Sequence, residues 1–258
     1  MSSTQLNPAV DAISAFFPCY NDDATIASMV RIAVATLDRV GVLDGEVIVI
    51  DDGSTDSSAE VLAELAAEEP MLTVVTHERN RGYGGALLSG FSEAKKQWVF
   101  YTDGDGQFDP AELELLVRHA SDDVDVVQGY KLRRADGVLR RVIGRMYHRF
   151  VAFFFGLRIR DTDCDFRLIR QSKLDEIELV YTTGVICVEL VRKLQDSGAR
   201  FTEVGVHHYR RVYGKSEFFR LPAIARTLWD LAGLWVTLVA LRRGRSPGAS
   251  GGSRQQRR

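Results

Sequence analysis

Apolar runs typical of buried strands alternate with amphipathic segments along residues 12–130. The runs are AISAFFPCY (12–20), GEVIVIDD, LTVVT, QWVFYT and VDVVQGY (124–130). The segments between them space their apolar residues as an α-helix does, and several end at glycine or proline. Strands that are apolar on both faces and joined by helices are typical of parallel sheets with a helical layer on each side. The pattern predicts an α/β fold with a mostly parallel sheet.

Two acidic, glycine-containing turns follow runs of this kind. DDGSTD begins at Asp51 after one run, and DGDG begins at Asp103 after another. In open α/β sheets, ligands bind beyond the carboxyl ends of the strands, so we expect both turns at one edge of the sheet. DDGSTD has a structural interpretation as well, in which Ser54 or Asp56 caps the next helix, and the two interpretations are compatible.

The stretch TDGDGQFDP offers oxygen ligands for a cation. Asp103, Asp105 and Gln107 alternate along the chain, and an extended backbone would place their side chains on the same side. Carboxylate and amide oxygens suit Mg²⁺ or Mn²⁺, and Mg²⁺ usually completes its shell with water and substrate phosphates. The stretch therefore predicts a metal that bridges the protein to a diphosphate, with a solvated Asp-Gly turn as the alternative.

Charge is divided unevenly along the chain. Residues 1–130 carry 7 Lys and Arg against 23 Asp and Glu, a net charge of −16, whereas residues 131–258 carry 26 against 12, a net charge of +14. An acidic half suits a divalent cation, and a basic half suits phosphate groups or a membrane surface. The alternative is two solvated faces that neutralise each other. The basic half has no nucleic-acid-binding motif, so we expect no nucleic-acid partner.

Six stretches together resemble the family 2 glycosyltransferases, and most of all the polyprenyl-phosphate sugar synthases such as dolichyl-phosphate mannosyltransferase. They are FFPCYND, IDDGSTDSS, RNRGYGGAL, TDGDGQFDP, DTDCDFRLIR and HHYRRVYGKS, in the family's order and approximate spacing over residues 12–220. The resemblance implies a GT-A fold, a nucleotide-sugar donor linked to GDP or UDP, a divalent metal, and inversion at the sugar carbon.

The resemblance also implies roles for single residues. The metal ligands would be Asp103, Asp105 and Gln107. The donor-binding residues would be Pro18, Tyr20, Asp22, Asp52, Asn80, Gly82, Asp103 and Ser216. The catalytic and acceptor-side residues would be Asp105, Lys131, Arg140 or Arg141, and Arg211. The chain departs from the family pattern at Asp163-Cys164-Asp165, where Thr-Ser-Gly is expected, so the acceptor and sugar need not be dolichyl phosphate and mannose.

The mechanism that follows is direct displacement. A polyprenyl phosphate oxygen attacks the anomeric carbon, and because that phosphate is already an anion no strong base is needed. If the acceptor is instead a sugar or glycolipid hydroxyl, Asp105 or Asp163 is the candidate base. An alternative of another class is a non-catalytic subunit that binds a nucleotide sugar or a lipid phosphate.

The sequence further predicts how the chain is divided. We expect an N-terminal tail (1–11), a GT-A domain (12–220) with a nucleotide-sugar half (12–130) and an acceptor half (131–220), amphipathic helices (221–243) and a disordered basic tail (244–258). The helices would lie on the membrane or form an oligomer, and a membrane-protein partner is possible. Three widely spaced cysteines and the lack of a signal peptide or apolar span predict a cytoplasmic, peripheral protein.

Overall fold

One sheet forms the centre of the fold. The computed structural model describes residues 9–132, 138–211 and 221–240, and describes side chains in these ranges except at 138–143 and 221–224. The strands are β1 (Ala12–Cys19), β2 (Asp44–Asp51), β3 (Leu72–Thr76), β4 (Trp98–Thr102), β5 (Val126–Lys131), β6 (Phe166–Arg170) and β7 (Phe201–Val206). Their order across the sheet is β3-β2-β1-β4-β6-β5-β7. Each neighbouring pair is parallel except the two that contain β6, which runs antiparallel to β4 and β5.

Helices cover both faces of this sheet. They are α1 (Ile26–Val40), α2 (Ser58–Glu68), α3 (Tyr83–Glu93), α4 (Leu113–His119), α5 (Val138–Phe155), α6 (Gln171–Leu174), α7 (Ile186–Asp196) and α8 (Leu221–Trp235). A 3₁₀ turn, Pro110–Glu112, precedes α4, and a π-helical turn, Val236–Ala240, continues α8. Asp109 caps the 3₁₀ turn by accepting from the Ala111 N–H. The predicted mostly parallel α/β sheet is confirmed.

The strands divide their side chains between two cores because successive residues of a strand point to opposite faces. In β1, Phe17 packs with α1, α2 and α4, while Phe16 packs with α3 and α7. In β2, Val49 and Ile50 divide in the same way. All four side chains are fully buried, which explains why these strands have continuous apolar sequences.

A third cluster packs α8 against the rest of the molecule. Leu231, Leu234 and Leu238 are buried with Val151 and Phe155 of α5 and with residues of α7. The Trp235 indole N–H also donates to the Phe154 carbonyl at 3.1 Å. The C-terminal helix is therefore present and is packed on the domain through one face. No helix in the described parts of the chain has the length and apolarity that a membrane span requires.

Candidate active site

Three loops meet at the carboxyl ends of β1, β2 and β4, which are neighbours in the sheet. The Asn21 N–H donates to Ser54 Oγ at 3.1 Å, which joins the first loop to the second. The Thr25 hydroxyl donates to the Gly104 carbonyl at 2.9 Å, which joins the first loop to the third. The two acidic turns of the sequence therefore lie at one sheet edge, as the alternating pattern predicts.

Asp52 is buried at this edge and organises the turn before α3. One carboxylate oxygen accepts from the Arg81 N–H at 2.8 Å, and the other accepts from the Gly82 N–H at 2.9 Å. The first oxygen also lies 2.6 Å from Nδ1 of His77, whose Nε2 lies 2.9 Å from Ser89 Oγ. A carboxylate has about four lone-pair sites, so capacity remains for a donor base or ribose. His77 was not predicted from the sequence, where its only signal is its place directly after β3.

The glycine-rich turn 79–85 leads into α3 and lies against other backbone. Gly82 has a φ of 85°, in the left-handed region, and its N–H also lies 2.9 Å from the Asn80 side-chain oxygen. A Cβ on Gly84 would lie 2.5 Å from the Thr182 carbonyl carbon, so a side chain there would collide with backbone. The predicted donor residues Asn80 and Gly82 are thus joined to Asp52 in one turn.

Asp103 is a buried carboxylate at the end of β4. The Tyr83 hydroxyl donates to its Oδ1 at 2.8 Å. Burial raises the pKa of Asp103 well above its usual range, and the negative charges of Asp165 and Asp105 raise it further, while Tyr83 and Lys131 oppose the rise. The carboxylates therefore repel one another at a place where a bound cation would stabilise them.

The prediction of an extended backbone at residues 103–107 is wrong. β4 ends at Thr102, and the following residues form turns, with Gly106 at a φ of 74° and the Gln107 N–H donating to Asp105 Oδ1 at 2.9 Å. Asp105 forms an ion pair with Arg211, and the Gln107 amide nitrogen donates to the Tyr209 carbonyl at 3.2 Å. The side chains thus have different partners, although Asp103 and Asp105 remain within electrostatic reach of each other.

The oxygen atoms of these side chains still fit an ion such as Mg²⁺. Over the described residues, no three His, Cys, Asp or Glu side chains converge as a complete protein-made metal site would require. Mg²⁺, however, commonly binds through one or two carboxylates and takes its other ligands from water and substrate phosphates. Asp103 and Asp105 are two neighbouring carboxylates in a strongly acidic environment, which suits that mode of binding.

Asp22 follows β1 and lies at the same sheet edge as Asp52, Asp103 and Asp105. These four residues are called the acidic edge. Burial raises its pKa to about 6, and repulsion from Asp105 contributes, while the Tyr20 N–H and Arg211 act in the opposite direction. The Pro18 carbonyl lies against the turn that holds Asp103 and Asp105, since a Cβ on Gly104 would be 2.7 Å from its oxygen. Two of the predicted donor residues, Pro18 and Asp22, therefore lie next to the predicted metal residues.

A fully buried arginine supports the site from below. Arg167 donates through Nε to Gln128 Oε1 at 2.6 Å and through Nη2 to the Thr162 carbonyl at 2.6 Å. Its Nη1 donates to Asp165 Oδ1 at 2.8 Å and to the Tyr101 hydroxyl. Arg167 belongs to DTDCDFRLIR, one of the stretches that carry the family resemblance, but its buried network was not predicted from the sequence. Charged residues are rarely buried unless paired, so only the fold reveals its role.

The predicted acceptor-side residues are only partly within the described structure. The Lys131 ammonium donates to the Asp163 carbonyl and lies 5.7 Å from the centre of the Phe108 ring. Arg140 and Arg141 belong to α5, but their side chains lie outside the described part. Ser216 also lies outside the described residues. Of the predicted catalytic and acceptor-side cations, the structure brings Lys131 near Asp103 and Arg211 to Asp105.

Two residues of α5 that the sequence analysis did not identify approach the same region. His148 Nδ1 lies 3.1 Å from Thr162 Oγ1, in the DTDCDFR segment. Burial raises the pKa of Tyr147, and the charge of Asp163 adds to the rise. The aromatic, basic helix therefore contacts the segment that carries the departures from the family pattern. The spacing of α5 alone did not show which of its residues face that segment.

Comparison with known proteins identifies a family and relatives that match most of the chain. The model of the family described as Glycosyl transferase family 2 matches residues 14–178, which contain most of β1, all of β2 to β6, and Asp22, Asp52, Asp103 and Asp105. The undecaprenyl-phosphate 4-deoxy-4-formamido-L-arabinose transferase of Enterobacter sp. strain 638 is 29 % identical over 225 residues, covering 86 % of this chain and 67 % of the relative. The proteins of that name from Shewanella sediminis and Aeromonas hydrophila are each 30 % identical, covering 82 % and 87 % of this chain and 63 % and 68 % of themselves. The chain spans about two thirds of the length of these relatives.

Solved structures share the fold. A crystal structure of a mycobacterial protein superposes with a TM-score of 0.68 at 21 % identity, covering 90 % of this chain and 79 % of that one. Glucosyl-3-phosphoglycerate synthase from Mycobacterium tuberculosis, in complex with Mg²⁺ and uridine diphosphate, has a TM-score of 0.68 at 20 % identity, with coverage of 90 % and 84 %. At such identities the likeness establishes the fold, and the predicted GT-A fold is confirmed.

Proposed function

The chain belongs to glycosyltransferase family 2, and from this premise we propose that it transfers a sugar from a nucleotide sugar to a polyprenyl phosphate, with inversion at the anomeric carbon. One observation carries the proposal: Asp22, Asp52, Asp103 and Asp105 meet at one sheet edge, with Lys131 and Arg211 beside them. Carboxylates there suit a base, a ribose and a cation, and the basic groups suit phosphates.

The donor would bind across the ends of β1, β2 and β4. Asp22 and Asp52 would accept hydrogen bonds from the base and ribose, with Tyr20 lining the same loop. Asn80 and Gly82 would contact the donor from the turn before α3, where two backbone N–H groups already orient Asp52. Arg211 would exchange its ion pair with Asp105 for the diphosphate, and Ser216 would contact the same group.

Asp103, Asp105 and Gln107 would hold Mg²⁺ or Mn²⁺. When bound, such an ion supplies positive charge that stabilises the leaving diphosphate. Tyr83 would orient Asp103 through its hydrogen bond, which favours the ionised form of that carboxyl. Structures of a relative in fold, glucosyl-3-phosphoglycerate synthase, contain Mn²⁺ or Mg²⁺ with uridine diphosphate, which supports a divalent cation here.

The acceptor would approach from the basic half. Lys131, with Arg140 or Arg141, would hold the acceptor phosphate. Since a phosphate monoester is an anion at neutral pH, the attack needs orientation and charge balance more than a base. The curated relatives are named as undecaprenyl-phosphate sugar transferases, which supports a polyprenyl phosphate as the acceptor class.

A lipid acceptor requires contact with a membrane, and exposed side chains of α5 and α8 suit that role. Phe153 and Trp229 are each 81 % exposed, on two helices that pack together. Arg145 and Arg149 of α5 are exposed near the phenylalanines and would attract anionic lipids. We propose that the protein is peripheral at the cytoplasmic face of the membrane, and the same surface would serve if a membrane-protein partner recruited it.

The deciding experiment is a binding and transfer panel. GDP-mannose, UDP-glucose, UDP-GlcNAc and UDP-GalNAc are titrated with Mn²⁺ and with EDTA, on wild type and on Asp105→Ala, and the donor that binds is then incubated with undecaprenyl phosphate. Metal-dependent binding that the variant loses, followed by a glycosylated lipid product, is expected. Binding without transfer to lipid or hydrolysis would instead favour a non-catalytic subunit, and no binding of any nucleotide sugar would contradict the proposal.

A further inference from the structure

Residues 178–184, called the bridging loop here, connect α6 to α7 and lie between α8 and the turn that precedes α3. None of the residues assigned above to the donor, metal or acceptor belongs to this loop. Its contacts on both sides are nevertheless specific hydrogen bonds, and one of them reaches the glycine-rich turn that holds Asp52.

On the donor side, the bridging loop is fixed to the start of α3. The Gly84 N–H donates to the Thr182 carbonyl at 3.0 Å. A Cβ on Gly82 would lie 2.9 Å from the same carbonyl oxygen, so the two backbones are in close contact. Tyr83, which lies between these two glycines, donates its hydroxyl to Asp103. The Gly82 N–H donates to Asp52. The loop therefore supports the turn that touches both the donor carboxylate and the metal carboxylate.

A buried carboxylate of α7 fixes the backbone of the same loop. Glu189 is fully buried and accepts from the Val180 N–H at 3.1 and 3.2 Å and from the Tyr181 N–H at 3.1 Å. Lys193, one turn later, neutralises it at 2.7 Å. A buried charge costs free energy unless it is paired and hydrogen-bonded, and here both backbone donors belong to the loop. Glu189 is thus an anchor of the loop rather than a group of the reaction.

On the other side, the bridging loop is held by α8. The Thr183 hydroxyl donates to Asp230 Oδ2 at 2.8 Å. A Cβ on Gly233 would lie 3.1 Å from the Tyr181 hydroxyl oxygen, so the helix and the loop are also packed closely. Asp230 is the acidic residue in the otherwise apolar sequence LWDLAGLW. Its charge is explained by this hydrogen bond.

We propose that the bridging loop is a positioning element through which α8 sets the affinity of the donor site, and that Thr183 and Asp230 are its positioning residues. The route is short: Asp230 holds Thr183, the neighbouring Thr182 carbonyl holds Gly84, and Gly82 and Tyr83 orient Asp52 and Asp103. The inference rests on the proposed function in so far as the ligand of that turn is a nucleotide sugar. Neither residue touches the reacting atoms.

The test compares Thr183→Val, which removes the hydroxyl at nearly constant shape, with Thr183→Ser, which keeps it. Asp230→Ala and the double variant Thr183→Val/Asp230→Ala complete a double-mutant cycle. Thr73→Val, at an exposed threonine of β3, is the matched control. Each protein is measured for affinity to UDP and GDP with Mn²⁺, for KM and kcat, and for amide hydrogen exchange at Gly82 and Gly84 without ligand.

Thr183→Val should speed exchange at Gly84 and weaken nucleotide binding about fivefold, with KM rising and kcat changing less. Thr183→Ser and Thr73→Val should behave as wild type. The double variant should bind nucleotide no more weakly than whichever single variant has the lower affinity. A purely structural loop would instead lower the melting temperature with unchanged exchange at Gly84 and unchanged affinity, and that result would overturn the inference. If wild type itself binds neither nucleotide, the proposed function fails, and the exchange rates alone then decide whether α8 is coupled to the turn.

Discussion

The Tyr83 hydroxyl donates a hydrogen bond of 2.8 Å to Oδ1 of Asp103, although the two residues belong to different elements, the first turn of α3 and the end of β4. Burial raises the pKa of Tyr83 well above its usual range, and the charge of Asp103 adds to this, so the hydroxyl stays protonated and able to donate. In return, the hydrogen bond favours the ionised form of Asp103 against burial and against its acidic neighbours.

Tyr83→Phe should therefore weaken metal binding in a pH-dependent way. Without the Tyr83 hydroxyl, the pKa of Asp103 rises further. Since a metal binds the carboxylate form, a higher pH is needed to form the metal complex. We expect Mn²⁺ affinity in the presence of UDP to fall about three- to tenfold at pH 7, with a smaller loss at pH 8.5. Calorimetric titration at several pH values measures this.

Tyr130→Phe is the control, because that tyrosine belongs to β5 and stacks with Arg160 at 4.9 Å. It should bind Mn²⁺ as wild type does. An Mn²⁺ affinity of Tyr83→Phe equal to that of wild type at every pH would show that the hydrogen bond does not tune Asp103.

Asp22 should make the metal-free protein less stable as the pH rises. Its pKa is raised from 3.8 to about 6, mainly by burial, so the folded state holds this proton more tightly than the unfolded state. The resulting stabilisation is full below pH 4 and is lost as the pH rises through 6. After allowance for partial exposure, Asp22→Asn should abolish about 1 kcal/mol of the fall in unfolding free energy between pH 4.5 and 7.5.

Urea unfolding in EDTA at the two pH values gives the comparison. Asp122→Asn, at a side chain that is 97 % exposed, is the control and should leave the wild-type fall in place. If Asp22→Asn retains the full pH dependence of wild type, the cause lies in other carboxylates of the acidic edge.

The buried Arg167 should be the charge whose removal costs the most stability. Arg167→Met leaves Asp165 buried without its cation, and we expect a loss of about 3–5 kcal/mol in unfolding free energy. Arg167→Lys should also destabilise, because one ammonium cannot reproduce the planar fork that joins Gln128, Asp165 and Thr162. Adding Asp165→Asn to Arg167→Met should restore part of the loss. Equal unfolding midpoints for wild type and Arg167→Met would contradict this assignment.

Most of the sheet could be predicted because its strands are buried on both faces. Phe16 and Phe17 enter different cores, so β1 is a continuous apolar run that is visible in the sequence. The position of β6 could not be predicted in the same way. Phe166–Arg170 has charged residues within and at its end, and its antiparallel insertion between β4 and β5 depends on pairing across the sheet rather than on local pattern.

The site was predictable where its signal is local. Asp103 and Asp105 follow a buried strand directly, and that place alone indicates the ligand edge of the sheet. The roles of His77 and Tyr83 depend on contacts with residues 25 and 20 positions away in the chain, which no short pattern shows. The orientation of Gln107 was predicted wrongly because the glycine at 106 allows a turn where an extended strand was assumed.

Membrane contact through α5 and α8 leads to the last prediction. Deleting residues 221–258 would remove Leu231 and Leu234 and expose the rest of their core cluster on α5 and α7, so substitutions on the outer faces are the cleaner test. Phe153→Ser/Trp229→Ser removes two large exposed apolar side chains and should lower binding to anionic phospholipid vesicles about tenfold or more. Leu43→Ser, at an apolar residue that is 83 % exposed on the loop after α1, is the matched control and should bind as wild type.

Vesicle co-sedimentation at low and high salt measures the loss of binding. Light scattering shows whether wild type is an oligomer that the double variant dissociates. Dissociation with unchanged vesicle binding would assign this surface to a second copy of the chain instead of to the membrane.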